Sequence, residues 1–306
     1  MKAVRVNEWG KPVQLEDIPQ PVPNNDEVLV RVHAASINPF DTAVIAGYMS
    51  FMASPPLTLG TDFAGEVVAV GADITHVVPG DAVYGLVVLR SGTFAEFTTA
   101  KAHELAHKPT SLDYIHAAAL PLPSMAAWQS LFDLAQLQRG ERVLIHGVAG
   151  NVGSLAVQLA KDMGAYVYGT DIPEKATFIQ GLGLDRFINT QDERFEDIVE
   201  DVNIVLDYVG GDFLERSYSV LKPGGRYVTA LMMETPQEEA HSRGIRSLGL
   251  ASQPRADLLA QVAERIDAGK LKVFVNRTFP LDEVEAAMEY RLKKTEPGKV
   301  VLTINS

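Results

Sequence analysis

Cysteine is absent from the 306 residues. That excludes disulfides and every metal site that depends on a thiolate. No apolar run reaches the length of about eighteen residues that a membrane-spanning helix needs. The opening stretch, MKAVRVNEWGK, lacks the apolar block of a secretory leader. Positive charge is scarce, with 27 Lys and Arg against 39 Asp and Glu and a net charge of −12. Such a balance repels nucleic acid and anionic membranes, so neither is expected as a partner. An anionic cofactor would need a pocket built against that background. Long repeats, low-complexity runs and blocks of like charge are missing too. These absences together lead to the expectation of a soluble, cytoplasmic protein.

The residues that are present, 46% hydrophobic and 22% charged, suit a globular chain with ample core and room for two domains. The first third reads as half-buried strands: KAVRV, EVLVRVHAAS, GEVVAVG, DAVYGLVV and FAEFTT are rich in valine and partly alternating. PVPNND, NPFD, VPGD and RSG are the turns between them. From about Tyr114 the pattern changes. SMAAWQSLFDLAQL has a helical period, and strand-like segments (RVLIHG, YVYGTD, NIVLDYVGG, GRYVTAL) then alternate with helix-like ones. That alternation predicts a parallel sheet flanked by helices. The end of the chain returns to strand, helix and strand, and its last strand is placed to rejoin the first sheet. The expected division is therefore residues 1–113 with 258–306, and residues 114–257.

HGVAGNVG, residues 146–153, joins an apolar strand to a helical pattern with Gly147, Gly150 and Gly153 at every third position. Such a turn aims backbone N–H groups at a pyrophosphate, which glycine lets approach. Many strand-to-helix turns carry glycine only for packing, and the spacing differs from G-x-G-x-x-G. Asp171 tips the balance. It ends the next strand, eighteen residues after Gly153, where a carboxylate can accept from the ribose hydroxyls of a dinucleotide. Its competing role is to cap the helix that begins near Pro173. Strand, glycine turn, helix, strand and acid in succession favour the dinucleotide.

HELAH, residues 103–107, matches the zinc-hydrolase motif formally. Zinc needs both histidines on one helical face. Here a strand precedes the motif and a proline follows closely, so the match is read as coincidence. In SINPFD, Asn38 and Pro39 suit a turn and Asp41 a helix cap; lining a pocket is the second reading for Asn38 and Asp41. His146 is expected to pack beside the glycine turn.

Four segments, LGTDFAGEVVAVGADITHVVPGDAVYGL, AALPLPSMAAWQSLFDLAQLQRGERVLIHGVAGNVGSLAVQLAK, VLDYVGGDFLERSYSVLKPGGRYV and GKVVLTI, resemble one family in that order. It is the zinc-independent quinone oxidoreductases of the medium-chain dehydrogenase/reductase superfamily. The resemblance implies an α/β protein: a GroES-like, mostly-β catalytic domain, a Rossmann domain with a doubly wound parallel sheet, and a cofactor cleft between them. Asn38 and Thr61 fall where zinc-dependent relatives hold the metal with cysteine and histidine, and Asp62 where a glutamate follows. Gly147, Gly150, Asn151, Val152 and Gly153 are implied at the pyrophosphate, and Asp171 and Lys175 on the adenosine side. Val209 and Gly210 are implied near the ribose or nicotinamide, and Asn38, Asp41 and Tyr48 facing substrate. Two positions depart from the family. Ala126 stands where a threonine often meets the nicotinamide. Gly-Asn replaces Gly-Gly at 150–151, which a left-handed Asn151 would accommodate.

The implied activity is a hydride transfer from NADPH or NADH, without zinc, to a quinone or similar conjugated carbonyl. The alternatives are an alkenal or enone reductase, and a nicotinamide-sensing protein without turnover. Asp171 favours NADH because it would repel a 2′-phosphate, and Lys175, a helical turn later, is expected to be solvated. Protons would come from water or from Tyr48. AGYMSFMASPP and LMMETPQEEAHSRG are expected to wall the pocket, and RGIRSLGLAS to form the edge of a homodimer.

Overall fold

The computed structural model describes residues 1–231, 237–293 and 296–304. The chain divides into two compact units: Met1–Leu122 with Pro254–Gly269 and Val273–Ser306, and Pro123–Gln253 with Lys270–Lys272. The expected boundaries lay at 113/114 and 257/258. The difference at the first comes from the helix Tyr114–Ala118, which packs on the strands Glu27–Ser36 and Asp62–Val70. At the second, the helix Ala256–Asp267 packs on the strand Leu105–His107.

The first unit is mostly β, as its valine-rich segments require. Its larger sheet has the spatial order Val275–Pro280, Lys299–Thr303, Glu27–Ser36, Asp62–Val70, Ala82–Leu86 and Leu105–His107, with Phe97–Lys101 added against Glu27–Ser36. The last strand of the chain does rejoin this sheet: Lys299–Thr303 runs antiparallel to the end of Glu27–Ser36, with Val301 opposite Ser36. Glu27–Ser36 is paired on both sides, and Val28, Val30, Val32 and Ala35 are fully enclosed in the core with Phe63 and Leu302.

The second unit holds one six-stranded parallel sheet. Its spatial order is Arg186–Asn189, Tyr166–Asp171, Arg142–His146, Val202–Asp207, Leu221–Thr229 and Arg246–Gly249. In chain order that is third, second, first, fourth, fifth and sixth, the doubly wound arrangement of dinucleotide-binding sheets. The order reverses between the first and fourth strands, and ligands bind such sheets at the carboxyl ends of the strands beside that reversal. The helical pattern before the sheet is an α-helix over Pro121–Trp128 that widens into a π-helix over Gln129–Leu134.

Candidate active site

The glycine turn sits at the reversal. Val143, Leu144 and Ile145 are enclosed in the middle of the sheet, and the chain leaves them through Gly147 at φ +77. A side chain is disfavoured there on both conformational and steric grounds, since a Cβ would meet Val209 Cγ2 at 2.9 Å. The amides of Gly147 and Val148 both donate to the Thr170 carbonyl, at 2.9 and 3.2 Å, and tie the turn to the neighbouring strand. The helix Asn151–Asp162 follows, its hydrogen-bond ladder opening with Ser154 N–H to the Gly150 carbonyl at 2.9 Å. The amides of Asn151, Val152 and Gly153 therefore have no acceptor inside the helix. Gly150 is exposed, and Asn151 and Val152 are half-buried. Three free donors at the positive end of a twelve-residue helix form a seat for an anion. The left-handed backbone expected at Asn151 is not needed: Asn151 is the first residue of the α-helix, and Gly147 supplies the positive φ.

Asp171 closes the adjoining strand and is buried. Its Oδ2 accepts from Ala149 N–H and its Oδ1 from Ile172 N–H, both at 2.9 Å. The carboxylate therefore braces the glycine turn rather than capping the next helix, whose first turn spans Pro173–Lys175 with Ile172 as its cap residue. Lys175 is not solvated as expected. Its Nζ lies 3.1 Å from Asp171 Oδ1, across the short 3-10 turn Pro173–Lys175 that follows the strand. Thr190 donates through its amide to the Asp171 carbonyl at 3.1 Å. Beside it opens a cavity of about 290 Å³, lined by Thr190, Phe195, Phe213 and Arg216 among others.

Val209 and Gly210 follow the fourth strand, and Val209 is half exposed. Asp207, which the sequence reasoning passed over, sets their turn. Its Oδ1 accepts from the amides of Val209 and Gly210 at 2.8 and 2.9 Å, and its Oδ2 from the Tyr227 hydroxyl at 2.6 Å. An aspartate ending a strand directly before Tyr-Val-Gly-Gly was the available signal. His146 packs beneath the turn as expected. It lies between Phe195 and Phe213 and bonds Thr170 Oγ1 at 2.9 Å and Ser217 Oγ at 3.0 Å. Burial lowers its pKa to about 4, so it is neutral and serves the fold. Ala126 is buried in Pro121–Trp128.

In the first unit, Asn38 and Asp41 come together and Tyr48 does not join them. The cap residue of the helix Pro39–Ile45 is Asn38, not Asp41 as expected. Asp41 is the third residue of the helix, and its Oδ2 accepts from the Asn38 amide N–H at 2.7 Å, the reciprocal half of a capping box. Both are enclosed, 2% and 1% exposed, whereas Tyr48 is 72% exposed. Asn38 Nδ2 donates to Asp62 Oδ2 at 2.9 Å and to Thr61 Oγ1 at 3.3 Å, and Thr61 Oγ1 donates to Asp41 Oδ1 at 3.2 Å. Asp62 also accepts from Ser36 Oγ and Leu122 N–H, both at 2.8 Å. Lys299, absent from the sequence reasoning about the site, completes the cluster. Its ammonium donates to Asn38 Oδ1 and stands 3.3 Å from Asp62 Oδ2. Burial pushes the Asp41 carboxyl up to about 7, with the Asn38 amide opposing and the Asp62 carboxylate adding to the rise. Burial also lowers the Lys299 pKa, against the pull of Asp62 and Asp41.

Zinc does not fit this cluster. An amide and a hydroxyl stand at the two positions that the resemblance assigns to metal ligands, and an ammonium already holds the carboxylate. Among the described residues, no group of three or more His, Asp or Glu side chains is arranged to hold a metal ion. HELAH forms a short 3-10 turn, Ala102–Glu104, and then the strand Leu105–His107, so its histidines do not share a helical face. Glu104 instead binds Arg90 and the Lys101 amide. A dinucleotide does fit the second unit: the free helix-opening amides, the glycines that bar a Cβ and the buried carboxylate converge at one end of the sheet. Of the loops expected to wall a pocket, AGYMSFMASPP exposes Tyr48, Phe51 and Met52 and buries Met49. Residues 232–236 of the other loop lie outside the described residues.

Comparison with known proteins bears on the whole arrangement. Residues 24–110 match the alcohol dehydrogenase GroES-like domain, and residues 182–302 match the zinc-binding dehydrogenase domain. The chain is 30% identical over 328 residues to the mouse (Mus musculus) mitochondrial NAD(P)H oxidoreductase RTN4IP1, covering 91% of this chain and 82% of that protein. It is 28% identical over 323 residues to the human (Homo sapiens) quinone oxidoreductase, covering 99% and 98%. The solved quinone oxidoreductase of Coxiella burnetii superposes with a TM-score of 0.91 at 32% identity, covering 100% and 99%. With a GroES-like domain and a doubly wound dinucleotide-binding sheet in one chain, the protein belongs to the quinone oxidoreductase family of the medium-chain dehydrogenase/reductase superfamily and is an NAD(P)H oxidoreductase.

Proposed function

We propose that this enzyme reduces a quinone, or a similarly electron-poor conjugated carbonyl, and does so without a metal. One observation carries the reading: the Lys299 ammonium stands among the residues at the metal positions, touching Asn38 and Asp62. A site organised by an ammonium offers no open Lewis acid to polarise an alcohol or an isolated carbonyl. A quinone is already electrophilic and needs none. The names of the human and Coxiella relatives support the same substrate class.

Bound at the second unit, the dinucleotide supplies a hydride. The amides of Asn151, Val152 and Gly153 would hold its pyrophosphate, with Gly147 and Gly150 leaving room for it. Asp171 would accept from the adenosine ribose, and the adenine end would lie toward the cavity beside Thr190. Val209 and Gly210, fixed by Asp207, would orient the other end. The Asp171 carboxylate favours NADH, and its ion pair with Lys175 moderates that preference. Asn38 and Asp41 would belong to the substrate side, within the first unit. The proton that follows the hydride comes from water or from the exposed Tyr48.

The test follows NADH and NADPH consumption with 1,4-benzoquinone and with an alkenal, before and after EDTA. Steady turnover of the quinone, insensitive to EDTA in protein with far less than one zinc per chain, is the expected result. Faster turnover of the alkenal would assign a double-bond reductase instead. Binding without turnover would assign a sensor, and stoichiometric zinc lost together with activity would overturn the metal-free mechanism.

A further inference from the structure

Lys299 opens the last strand, and the antiparallel register of that strand with Glu27–Ser36 brings its side chain to Ile37 and Asn38, 261 residues away from Asn38 in the chain. Its ammonium is 1% exposed by residue and has three acceptors: Ile37 O at 3.3 Å, Asn38 Oδ1, and Asp62 Oδ2 at 3.3 Å. An ammonium has three protons and no lone pair, so it can only donate. Asn38 must therefore present its oxygen to Lys299, which turns Nδ2 toward Asp62 and Thr61. Thr61 Oγ1, accepting a hydrogen bond from Asn38 Nδ2, donates its own hydroxyl hydrogen bond to Asp41 Oδ1. Asp41 Oδ2 already takes the Asn38 backbone N–H. The ammonium, which can only donate to Asn38 Oδ1, and the Asp62 carboxylate, which can only accept from Asn38 Nδ2, thus agree on the direction of every donor from Lys299 to Asp41.

We propose that Lys299 is the positioning residue of the reducing site: its ammonium fixes the Asn38 amide and, through it, the Thr61 hydroxyl, where zinc-dependent members of the superfamily place a metal. The inference rests on the reading of this cluster as the substrate side of the enzyme. A purely structural lysine would do something different, namely neutralise the buried Asp62 and leave Asn38 indifferent to its presence. The two roles separate by mutation, because a buried pair removed together costs far less stability than either member removed alone.

The experiment compares Lys299→Met, Asp62→Asn and the double variant, with folding checked by circular dichroism and NADH binding. Lys299→Met should melt well below the wild type, and the double variant should recover most of that loss. The double variant should still show kcat/KM for 1,4-benzoquinone reduced at least tenfold, with the NADH dissociation constant unchanged. Its crystal structure should show the Asn38 amide turned away from Thr61, whereas Asp62→Asn alone, which keeps the ammonium, should hold the amide in place. An Asn38 amide that stays on Thr61 in the double variant, or that turns in Asp62→Asn alone, overturns the inference whatever the rates. A wild type that turns over no quinone counts against the proposed function only, since the orientation of the amide still decides the role of Lys299.

Discussion

A side-chain carbon on Gly153 would stand 2.2 Å from the carbonyl oxygen of Gly147, closer than any Cβ tolerates. The helix and the turn that precedes it are thus in backbone contact, and Gly153 is required by packing. Gly150 is different: a Cβ there would lie 3.2 Å from the same oxygen, a strain of a few tenths of an ångström, and the residue is exposed. The two glycines should fail in different assays. Gly153→Ala should lose on the order of 2 kcal/mol of stability through overpacking. Gly150→Val should remain folded but bind NADH about 100-fold more weakly, or about 3 kcal/mol, because its branched side chain fills the pyrophosphate seat. Urea unfolding and calorimetric titration read the two effects. Unchanged binding in folded Gly150→Val would reduce the stretch to a tight turn.

Asp171 and Lys175 should set the cofactor preference in opposite directions. A free ribose hydroxyl can donate to the carboxylate, whereas a 2′-phosphate meets its negative charge. The Lys175 ammonium, 3.1 Å from Oδ1 and about a quarter exposed, offsets part of that repulsion. Asp171→Ser should improve NADPH binding relative to NADH at least tenfold, and Lys175→Ala should shift the ratio toward NADH. Asp171 also accepts the Ala149 amide, so Asp171→Ser loosens the turn for both cofactors. The ratio of dissociation constants cancels that loss. If the ratio is the same in all three proteins, Asp171 only braces the turn.

The second unit was the more legible because its signals are local. A buried strand, three glycines and a helix follow one another within about twenty residues, and Asp171 comes one strand later. Lys175 reads as solvated in the sequence because its partner shows only once the turn is built. The cluster in the first unit is made by sheet pairing across the length of the chain, which no spacing rule encodes. Asn38 and Asp41 read first as a turn and a cap, and the cap is Asn38, with Asp41 reciprocating from inside the helix; what local chemistry lacked was the ammonium of Lys299. GKVVLTI reads as a last strand and carries part of the resemblance to the family, but a lysine at the start of a strand is ordinarily solvent-exposed. Its burial follows from the register with Glu27–Ser36. Asp207 was passed over for a simpler reason, since its effect is on the backbone of Val209 and Gly210 rather than on a ligand.

Homodimerisation is a separate expectation. Arg246–Gly249 is the last strand of the six-stranded sheet and, among the described residues, pairs on one side only, with Leu221–Thr229. A strand edge of this kind invites a second copy, and a twofold contact through it is self-complementary and closes at two chains. Light scattering at micromolar concentration should return twice the chain mass of 33.2 kDa. A mass of one chain would reject the dimer.

The raised pKa of Asp41 makes a prediction about stability and pH. In the unfolded chain the carboxyl titrates near 3.8, and in the native state near about 7, chiefly because burial penalises its charge. Between those values the native state binds more protons than the unfolded one, so this group lowers stability as pH rises across the window, by up to about 1.4 kcal/mol per pH unit. Below the window both states are protonated and above it both are ionised, so the effect levels off at each end. His146 acts in the opposite sense: its pKa falls from 6.5 to about 4 on folding, so its contribution to stability grows as pH rises between them. Wild type alone would show a muted slope, and the informative quantity is its difference from Asp41→Asn at each pH. That difference should move steadily against the wild type from pH 4 to 7, read from urea midpoints at matched m-values. Parallel curves over that range would mean that Asp41 is ionised in the fold, its charge held by Lys299 and the donors around it.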